Sequence, residues 1–152
     1  MSKEERKFMM RAIWLAKKAK GKTYPNPLVG AVVVRDGKII GEGYHKKAGE
    51  PHAEIVALKK AGKKARRAVL YVTLEPCAHY GKTPPCVDSI IKGGIKKVYA
   101  AMRDPNPLVN GKGLRILKEN GVKTATGICR REAKELNKKY LSSFCSRRKG
   151  TS

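Results

Sequence analysis

The sequence predicts an α/β protein, a three-layer α/β/α sandwich around a five-stranded mixed sheet. Two observations predict this class. Short β-branched apolar runs alternate with segments of helical periodicity, which is typical of strands and helices that alternate along the chain. Asp36-Gly37 separates the first two runs and is a strong hairpin signal, so the first two strands should be antiparallel and the remaining sheet mostly parallel. A length of 152 residues fits one domain.

The helices and strands follow from periodicity and from turn residues. Apolar residues at helical spacing predict a first helix over 4–20, which ends near Gly21. The predicted strands cover 28–34, 38–44, 68–74, 97–102 and 122–126. The later helices are predicted over 54–64, with Pro51 preset for the first turn, 87–92, 113–120 and 131–140. The domain is therefore expected over 1–141, followed by a basic, flexible tail over 142–152.

Composition excludes several classes of protein. Lys and Arg number 35 against 12 Asp and Glu, a net charge of +23, while 41% hydrophobic residues are enough for a packed core. No apolar run reaches the roughly 18–20 residues of a membrane span, and the charged N-terminus lacks the apolar region of a secretory signal, so a cytoplasmic protein is expected. The charge leaves nucleic acid open as a partner but does not favour it, because the densest basic cluster, 59–67, contains no aromatic residue for base stacking.

Three short motifs carry the predicted chemistry: His52-Ala53-Glu54, Pro76-Cys77 and Pro85-Cys86. One imidazole and two thiols are zinc ligands by type, and three protein ligands leave a fourth position for water. Each cysteine follows a turn-forming proline, which predicts a loop–helix junction where the helix end favours thiolate. Glu54 lies two residues after His52, beside the metal and not on it, which suits a proton shuttle. The alternative is a structural zinc site with His79 as a fourth ligand.

The pattern of His-x-Glu, Pro-Cys and a further cysteine, with an acid that is not a ligand, is typical of zinc deaminases. Over roughly residues 8–140, the chain resembles the deaminase domain of bacterial riboflavin-biosynthesis deaminase/reductases, which have the cytidine-deaminase-like fold. The resemblance rests on the segments at 23–30, 43–45, 49–54, 71–77, 79–86 and 104–107. Eight residues separate Cys77 from Cys86, whereas nucleoside and transfer-RNA deaminases usually have only two there.

The resemblance implies a reaction and a set of site residues. The family removes an amino group from a diamino-pyrimidinone ribose 5′-phosphate, which releases ammonia and leaves a pyrimidinedione. By resemblance, His52, Cys77 and Cys86 hold Zn²⁺ and Glu54 shuttles protons. The remaining positions that match the family's substrate contacts are His79, Lys82 and Thr83 in the loop between the cysteines, and Asn26, His45, Asp104 and Asn106 around the base, ribose and phosphate. Asn26, Asp104 and Asn106 would also suit turns, since each adjoins a proline.

The sequence also departs from the family, in which a reductase domain usually follows near Leu136. We therefore expect either a separate reductase protein or an excised domain, and a homo-oligomer.

Two other functions stay open at this point. One is a nucleic-acid, free-cytidine or deoxycytidylate deaminase, which shares the zinc core and would explain the charge. The other is a basic RNA-binding module that keeps zinc for structural reasons.

Overall fold

The structure is a computed structural model that describes residues 2–79 and 84–150, without the side chains of 145–150. Within this part of the chain, the strands are β1 (Gly30–Arg35), β2 (Lys38–Tyr44), β3 (Val69–Val72), β4 (Lys97–Ala100) and β5 (Lys123–Thr126). The α-helices are α1 (Lys3–Lys17), α2 (Ala53–Ala61), α3 (Cys86–Lys92), α4 (Lys112–Glu119), α5 (Arg130–Leu136) and α6 (Lys138–Gly150). A short 3₁₀ helix, Gly62–Ala65, follows α2.

The five strands form the single mixed sheet that the sequence predicted, and their order in it is β2-β1-β3-β4-β5. β1 and β2 form the predicted antiparallel hairpin. β1 is also antiparallel to β3, whereas β3, β4 and β5 are mutually parallel. The expectation of a mostly parallel sheet was therefore wrong, since two of the four pairings are antiparallel. The reason is that the chain leaves β2 through α2, passes over β1 and enters β3 parallel to β2.

Helices cover both faces of the sheet, which confirms the three-layer sandwich. On one face, α2, α3 and α4 bury apolar side chains against Val33, Leu70 and Val98. On the other face, α1 and the segment from 128 to 133 pack against Val32 and Tyr71. Successive strand residues point to opposite faces, so Val32 and Val33 contribute to different halves of the core.

Two glycines in β2 bring α2, the helix that follows His52, close to the sheet. A Cβ atom added to Gly41 would collide with the backbone of Ala57, and one added to Gly43 would collide with the side chain of Val56. Any larger residue would therefore push α2 off the sheet. The glycines thus fix the position of the helix whose first turn carries Glu54.

The largest differences from the predicted helix boundaries are in α1, in α2 and in the last predicted helix. α1 ends at Lys17 and not near Gly21, and the helix predicted over 131–140 is two helices, α5 and α6, with Asn137 between them. α2 begins at Ala53 with His52 as its N-cap, so Pro51 precedes the first turn and does not occupy it. At its other end, α2 stops at Ala61 because Gly62 has a positive φ of 58°.

The segment predicted as a flexible tail begins inside a helix, since α6 runs from Lys138 to Gly150 and crosses residue 141. The division into 1–141 and 142–152 stays a prediction. In the described part of the chain, no helix has the length and apolar character required to cross a bilayer.

Candidate metal and substrate site

Three side chains of zinc-ligand type meet at one end of the sheet. His52 is the N-cap of α2, Cys77 follows β3, and Cys86 is the first residue of α3. The Nδ1 atom of His52 lies 3.2 Å from the Sγ of Cys86 and 3.8 Å from the Sγ of Cys77. All three donor atoms fall within 4.8 Å of one another. Among the described residues this group includes no fourth His, Cys, Asp or Glu, so His79 does not join it as the structural-zinc alternative required.

The charges of this group fit a divalent cation. The pKa of Cys77 is lowered, first by the hydrogen bond from Cys86 and also by His52, whereas the pKa of Cys86 is raised by Cys77 and by burial. Two sulfurs so close together cannot both ionise unless a positive charge lies between them. Zn²⁺ would offset two thiolate charges, and one imidazole with two thiolates is a donor set that zinc prefers. The residues present therefore fit this metal.

Glu54, the second residue of α2, lies beside the ligand group and is 4% exposed. Burial raises the pKa of its carboxyl to about 7, and the negative charge of Cys77 acts in the same direction. A carboxyl with a pKa near neutrality can accept a proton in one step and release it in another. The structure thus gives Glu54 the environment that a proton shuttle needs.

Asn26 and His45 form a hydrogen-bonded pair next to His52. The Nδ2 of Asn26 lies 3.2 Å from the Nε2 of His45, and the Nδ1 of His45 lies 3.2 Å from the carbonyl oxygen of Pro51. Since that carbonyl can only accept, Nδ1 carries the hydrogen and Nε2 accepts from Asn26. Burial lowers the pKa of His45, which favours the same neutral form. The His45 ring also meets the His52 ring edge-on, with centroids 5.4 Å apart.

Asp104 and Asn106 form a second group after β4. The Oδ1 of Asp104 accepts from the backbone N–H of Asn106 at 3.0 Å, and the Oδ1 of Asn106 accepts from that of Leu108 at 3.0 Å. Both residues therefore shape turns, which was the alternative that the sequence left open. Asp104 is nevertheless buried, and burial raises its pKa while the charge of nearby His79 lowers it. A buried carboxylate can serve a turn and a ligand together.

Glu75 was not predicted to act in the site, although it lies in the motif Glu75-Pro76-Cys77. Its Oε1 accepts from the backbone N–H groups of Asp104 and Gly111 at 3.2 and 2.9 Å. Its Oε2 accepts from that of Leu114 at 3.2 Å. Glu75 is 3% exposed and thus ties the Asp104 loop and the start of α4 to the strand end that carries Cys77. The signal in the sequence that could have revealed this role is a charged residue at the end of an apolar strand.

Two residues near the α5–α6 junction were missed as well. The side chain of Asn137 accepts from the backbone N–H of Leu28 at 2.7 Å and donates to the carbonyl oxygen of Leu28 at 2.8 Å. The hydroxyl of Tyr140 donates to the Oδ1 of Asp104 at 2.8 Å. No sequence motif pointed to either contact.

The predicted site residues thus fall into two neighbouring groups. One holds His52, Cys77, Cys86 and Glu54, with Asn26 and His45 alongside. The other holds Asp104 and Asn106, and Glu75 connects the two. His79 is exposed, two residues after Cys77. Lys82 and Thr83, which were predicted to contact the substrate, lie outside the described residues.

The chain is similar to known proteins over most of its length. Residues 2–102 match the family model described as the cytidine and deoxycytidylate deaminase zinc-binding region. The chain is 56% identical over 138 residues to riboflavin biosynthesis protein RibD of Aquifex aeolicus, and this match covers 91% of the chain but only 39% of that relative. It is 50% identical to the diaminohydroxyphosphoribosylamino-pyrimidine deaminase of Buchnera aphidicola, with 91% of the chain and 94% of the relative covered. Among solved structures, Acinetobacter baumannii RibD superposes with a TM-score of 0.91 at 52% identity, over 93% of this chain and 40% of that one.

Proposed function

Since the chain belongs to the cytidine and deoxycytidylate deaminase family by its zinc-binding region, we propose that it catalyses the hydrolytic deamination of 2,5-diamino-6-(ribosylamino)-pyrimidin-4-one 5′-phosphate. Water replaces one ring amino group, ammonia leaves, and a pyrimidinedione forms. One observation carries the proposal. The His52, Cys77 and Cys86 group, with buried Glu54 beside it, occurs in a chain that covers 94% of a 50% identical relative named as the deaminase of this ribotide.

His52, Cys77 and Cys86 would hold the zinc ion, since they are the three described donors that converge. When bound, the ion acts as a Lewis acid that lowers the pKa of water at its open position. The protein's part is to keep both sulfurs ionised and in place. The backbone N–H of Cys86 contributes to this, because it donates to the Sγ of Cys77 at 3.2 Å.

Glu54 moves the protons. Its carboxylate takes a proton from the attacking water and passes it to the ring nitrogen next to the amino-bearing carbon. A second transfer delivers a proton to the departing amino group, which leaves as ammonia. Both directions of transfer are accessible near neutral pH because the pKa of Glu54 is raised to about 7.

The substrate contacts follow from the chemistry of the side chains. Asn26 gives an amide N–H to His45, so its carbonyl oxygen can accept from an amino group of the pyrimidine. Asp104 and Asn106 supply a carboxylate and an amide for the pyrimidine edge or ribose hydroxyls. His79, Lys82 and Thr83 would bind the phosphate, for which cationic and hydroxyl donors are suited.

The partners follow from the product. A pyrimidinedione ribotide still carries a ribose that a reductase can act on, and the RibD relatives are more than twice as long as the matched region. We therefore expect the next step to be carried out by a reductase on a separate protein or on a longer form of this chain. A homo-oligomer and a cytoplasmic location remain part of the proposal.

The main competing function is deamination of cytidine, deoxycytidylate or a nucleic acid, and it is supported by the shared zinc core and the charge of +23. The eight residues between Cys77 and Cys86 argue against it. The test is ammonia release from the diamino-pyrimidinone ribotide, cytidine, deoxycytidylate and a transfer-RNA stem-loop, measured side by side. The ribotide should be the preferred substrate by kcat/KM. Faster release from any of the other three would overturn the proposal.

A further inference from the structure

We propose that Tyr140, on helix α6, is a positioning residue for the deaminase site. Its hydroxyl holds the side chain of Asp104 in the orientation in which Asp104 contacts the pyrimidine ribotide. This inference rests on the proposed function and extends it, because it makes the C-terminal helix part of the substrate site.

The hydrogen bonds around Asp104 define its orientation. The Oδ1 atom accepts from the Tyr140 hydroxyl at 2.8 Å and from the backbone N–H of Asn106 at 3.0 Å. Both donors bind the same oxygen. No donor to Oδ2 is found among the described residues, so Oδ2 can accept from the substrate. Burial and the bond to Asp104 raise the pKa of Tyr140 above its usual range, so the hydroxyl keeps the hydrogen that it donates. The side chain of Asn106 also interacts with this hydroxyl.

The backbone and the side chain of Asp104 are held by different residues. Glu75 accepts from the backbone N–H of Asp104 at 3.2 Å. This bond fixes the loop in every orientation of the Asp104 side chain. Tyr140 acts on the carboxylate alone. Removal of the hydroxyl should therefore leave the loop in place and free the side chain to rotate about its χ angles.

Helix α6 is well anchored for this role. The Tyr140 ring is half-buried on the core face formed by α1 and Tyr71, and it meets the Phe144 ring edge-on at 5.1 Å. Three residues earlier, Asn137 makes two hydrogen bonds to the backbone of Leu28, which lies two residues after Asn26. The α5–α6 junction thus contacts the loops that carry two of the predicted substrate contacts, Asn26 and Asp104.

The test is the kinetics of Tyr140→Phe with the ribotide. This change keeps the ring and removes one hydrogen bond to a carboxylate, so KM should rise about five- to tenfold. The kcat should change less than about twofold, because a contact made equally to substrate and transition state affects KM alone. The matched control is Tyr99→Phe, which removes a hydroxyl from another half-buried ring on the same core face and should leave both constants unchanged.

A double-mutant cycle with Asp104→Ala, which removes the acceptor of the Tyr140 hydroxyl, separates positioning from general stability. If Tyr140 acts through Asp104, the KM effect of Tyr140→Phe should largely disappear in the Asp104→Ala background. An unchanged KM in Tyr140→Phe, or fully multiplicative effects in the cycle, would overturn this inference while the proposed function stands. A wild-type chain that releases no ammonia from the ribotide would overturn both.

Discussion

The backbone N–H of Cys86 donates a hydrogen bond to the Sγ atom of Cys77 at 3.2 Å. One predicted zinc ligand therefore helps to position the other through the peptide backbone. The contact places an N–H dipole against the sulfur and favours its thiolate form. It also fixes the separation of the two ligands, because it ties Cys77, which lies in the loop between β3 and α3, to the first residue of α3, Cys86. The two proline-flanked cysteines of the sequence thus form one structural unit.

Replacement of either cysteine should remove the metal. Cys77→Ser and Cys86→Ser each take a thiolate from a three-residue donor set, and zinc per chain should fall from about one to near zero after dialysis. Cys129→Ser is the matched control, since Cys129 is buried outside the ligand group, 3.7 Å from the Nη1 of Arg6. The measurement is elemental analysis of the purified chains. Full zinc content in both ligand variants would refute the assignment.

Glu54→Gln should retain zinc and the fold but lose at least about a hundredfold in kcat, the low end for general acid–base catalysis. The amide has nearly the shape of the carboxyl and cannot carry the proton. Glu50→Gln, a change at an exposed residue two positions before His52, is the control for a lost negative charge nearby. A Glu54→Gln variant with near wild-type turnover would mean that another group moves the protons. An inactive wild-type chain with bound zinc would favour a structural metal.

The phosphate contact can be tested at Lys82. Lys82→Ala should lower kcat/KM for the ribotide about ten- to a hundredfold, which corresponds to roughly 1.5–3 kcal/mol for one charge-assisted hydrogen bond. The loss should shrink with the dephosphorylated nucleoside, which has no group for the lysine to bind. The control removes four exposed lysines outside the site, Lys59, Lys60, Lys63 and Lys64, whose charges are screened by salt. The reverse outcome, in which only the four-lysine variant loses activity, would favour a polyanionic substrate.

Glu75→Gln should destabilise the protein by about 1–3 kcal/mol, because an amide cannot accept at both of its terminal atoms and at least one buried N–H then faces a donor. The three backbone donors involved are those of Asp104, Gly111 and Leu114. Urea unfolding measures the change. Glu119→Gln on helix α4 is the control, since its ion pair with Arg115 is exposed and contributes little. Equal stability of the two variants would show that Glu75 does not hold the loop.

The Arg11–Glu42 pair should make stability depend on acid pH. Arg11 donates two hydrogen bonds to Glu42, at 3.0 and 2.8 Å, and the first cause of the lowered pKa of Glu42 is this contact. A carboxyl whose folded pKa is lowered stabilises the protein above its unfolded pKa, and that contribution is lost as pH falls through the folded pKa. Arg11→Met should therefore cost about 0.5–1 kcal/mol near pH 7, because a partly exposed pair is screened by solvent. The cost should be smaller near pH 3, where protonation of Glu42 weakens the pair. Urea titrations at both pH values test this, with Lys17→Met on the same helix as the control.

The parts of the fold that the sequence predicted correctly have local causes. The hairpin depends on Asp36-Gly37, both of which have positive φ, and two of the three ligands, His52 and Cys86, lie at helix starts. The loop–helix junction predicted at Cys77 was wrong, because Cys77 lies within the loop between β3 and α3. The second antiparallel partner of β1 was missed because strand order depends on the route of the chain between strands, which no local pattern encodes.

The missed contacts share a cause as well. The partners of Glu75 lie 29 to 39 residues further along the chain, and the partner of Tyr140 lies 36 residues back. A buried acid or a tyrosine shows in the sequence as a single residue, whereas here its hydrogen bonds join segments that are distant along the chain. The roles of such residues become visible only when the sheet has brought β3 and β4 side by side.

The separation of the ligands along the chain has a thermodynamic consequence. His52 and Cys86 are 34 residues apart, and the segment between them contains α2 and the central strand β3. An ion held by both would act as a cross-link that closes this loop. By the chain-entropy argument used for disulfides, such a link would remove about 4 kcal/mol of conformational freedom from the unfolded chain. Because the sulfurs and the imidazole converge only after folding, zinc occupancy and global stability become linked equilibria, and a strong chelator would act as a mild denaturant.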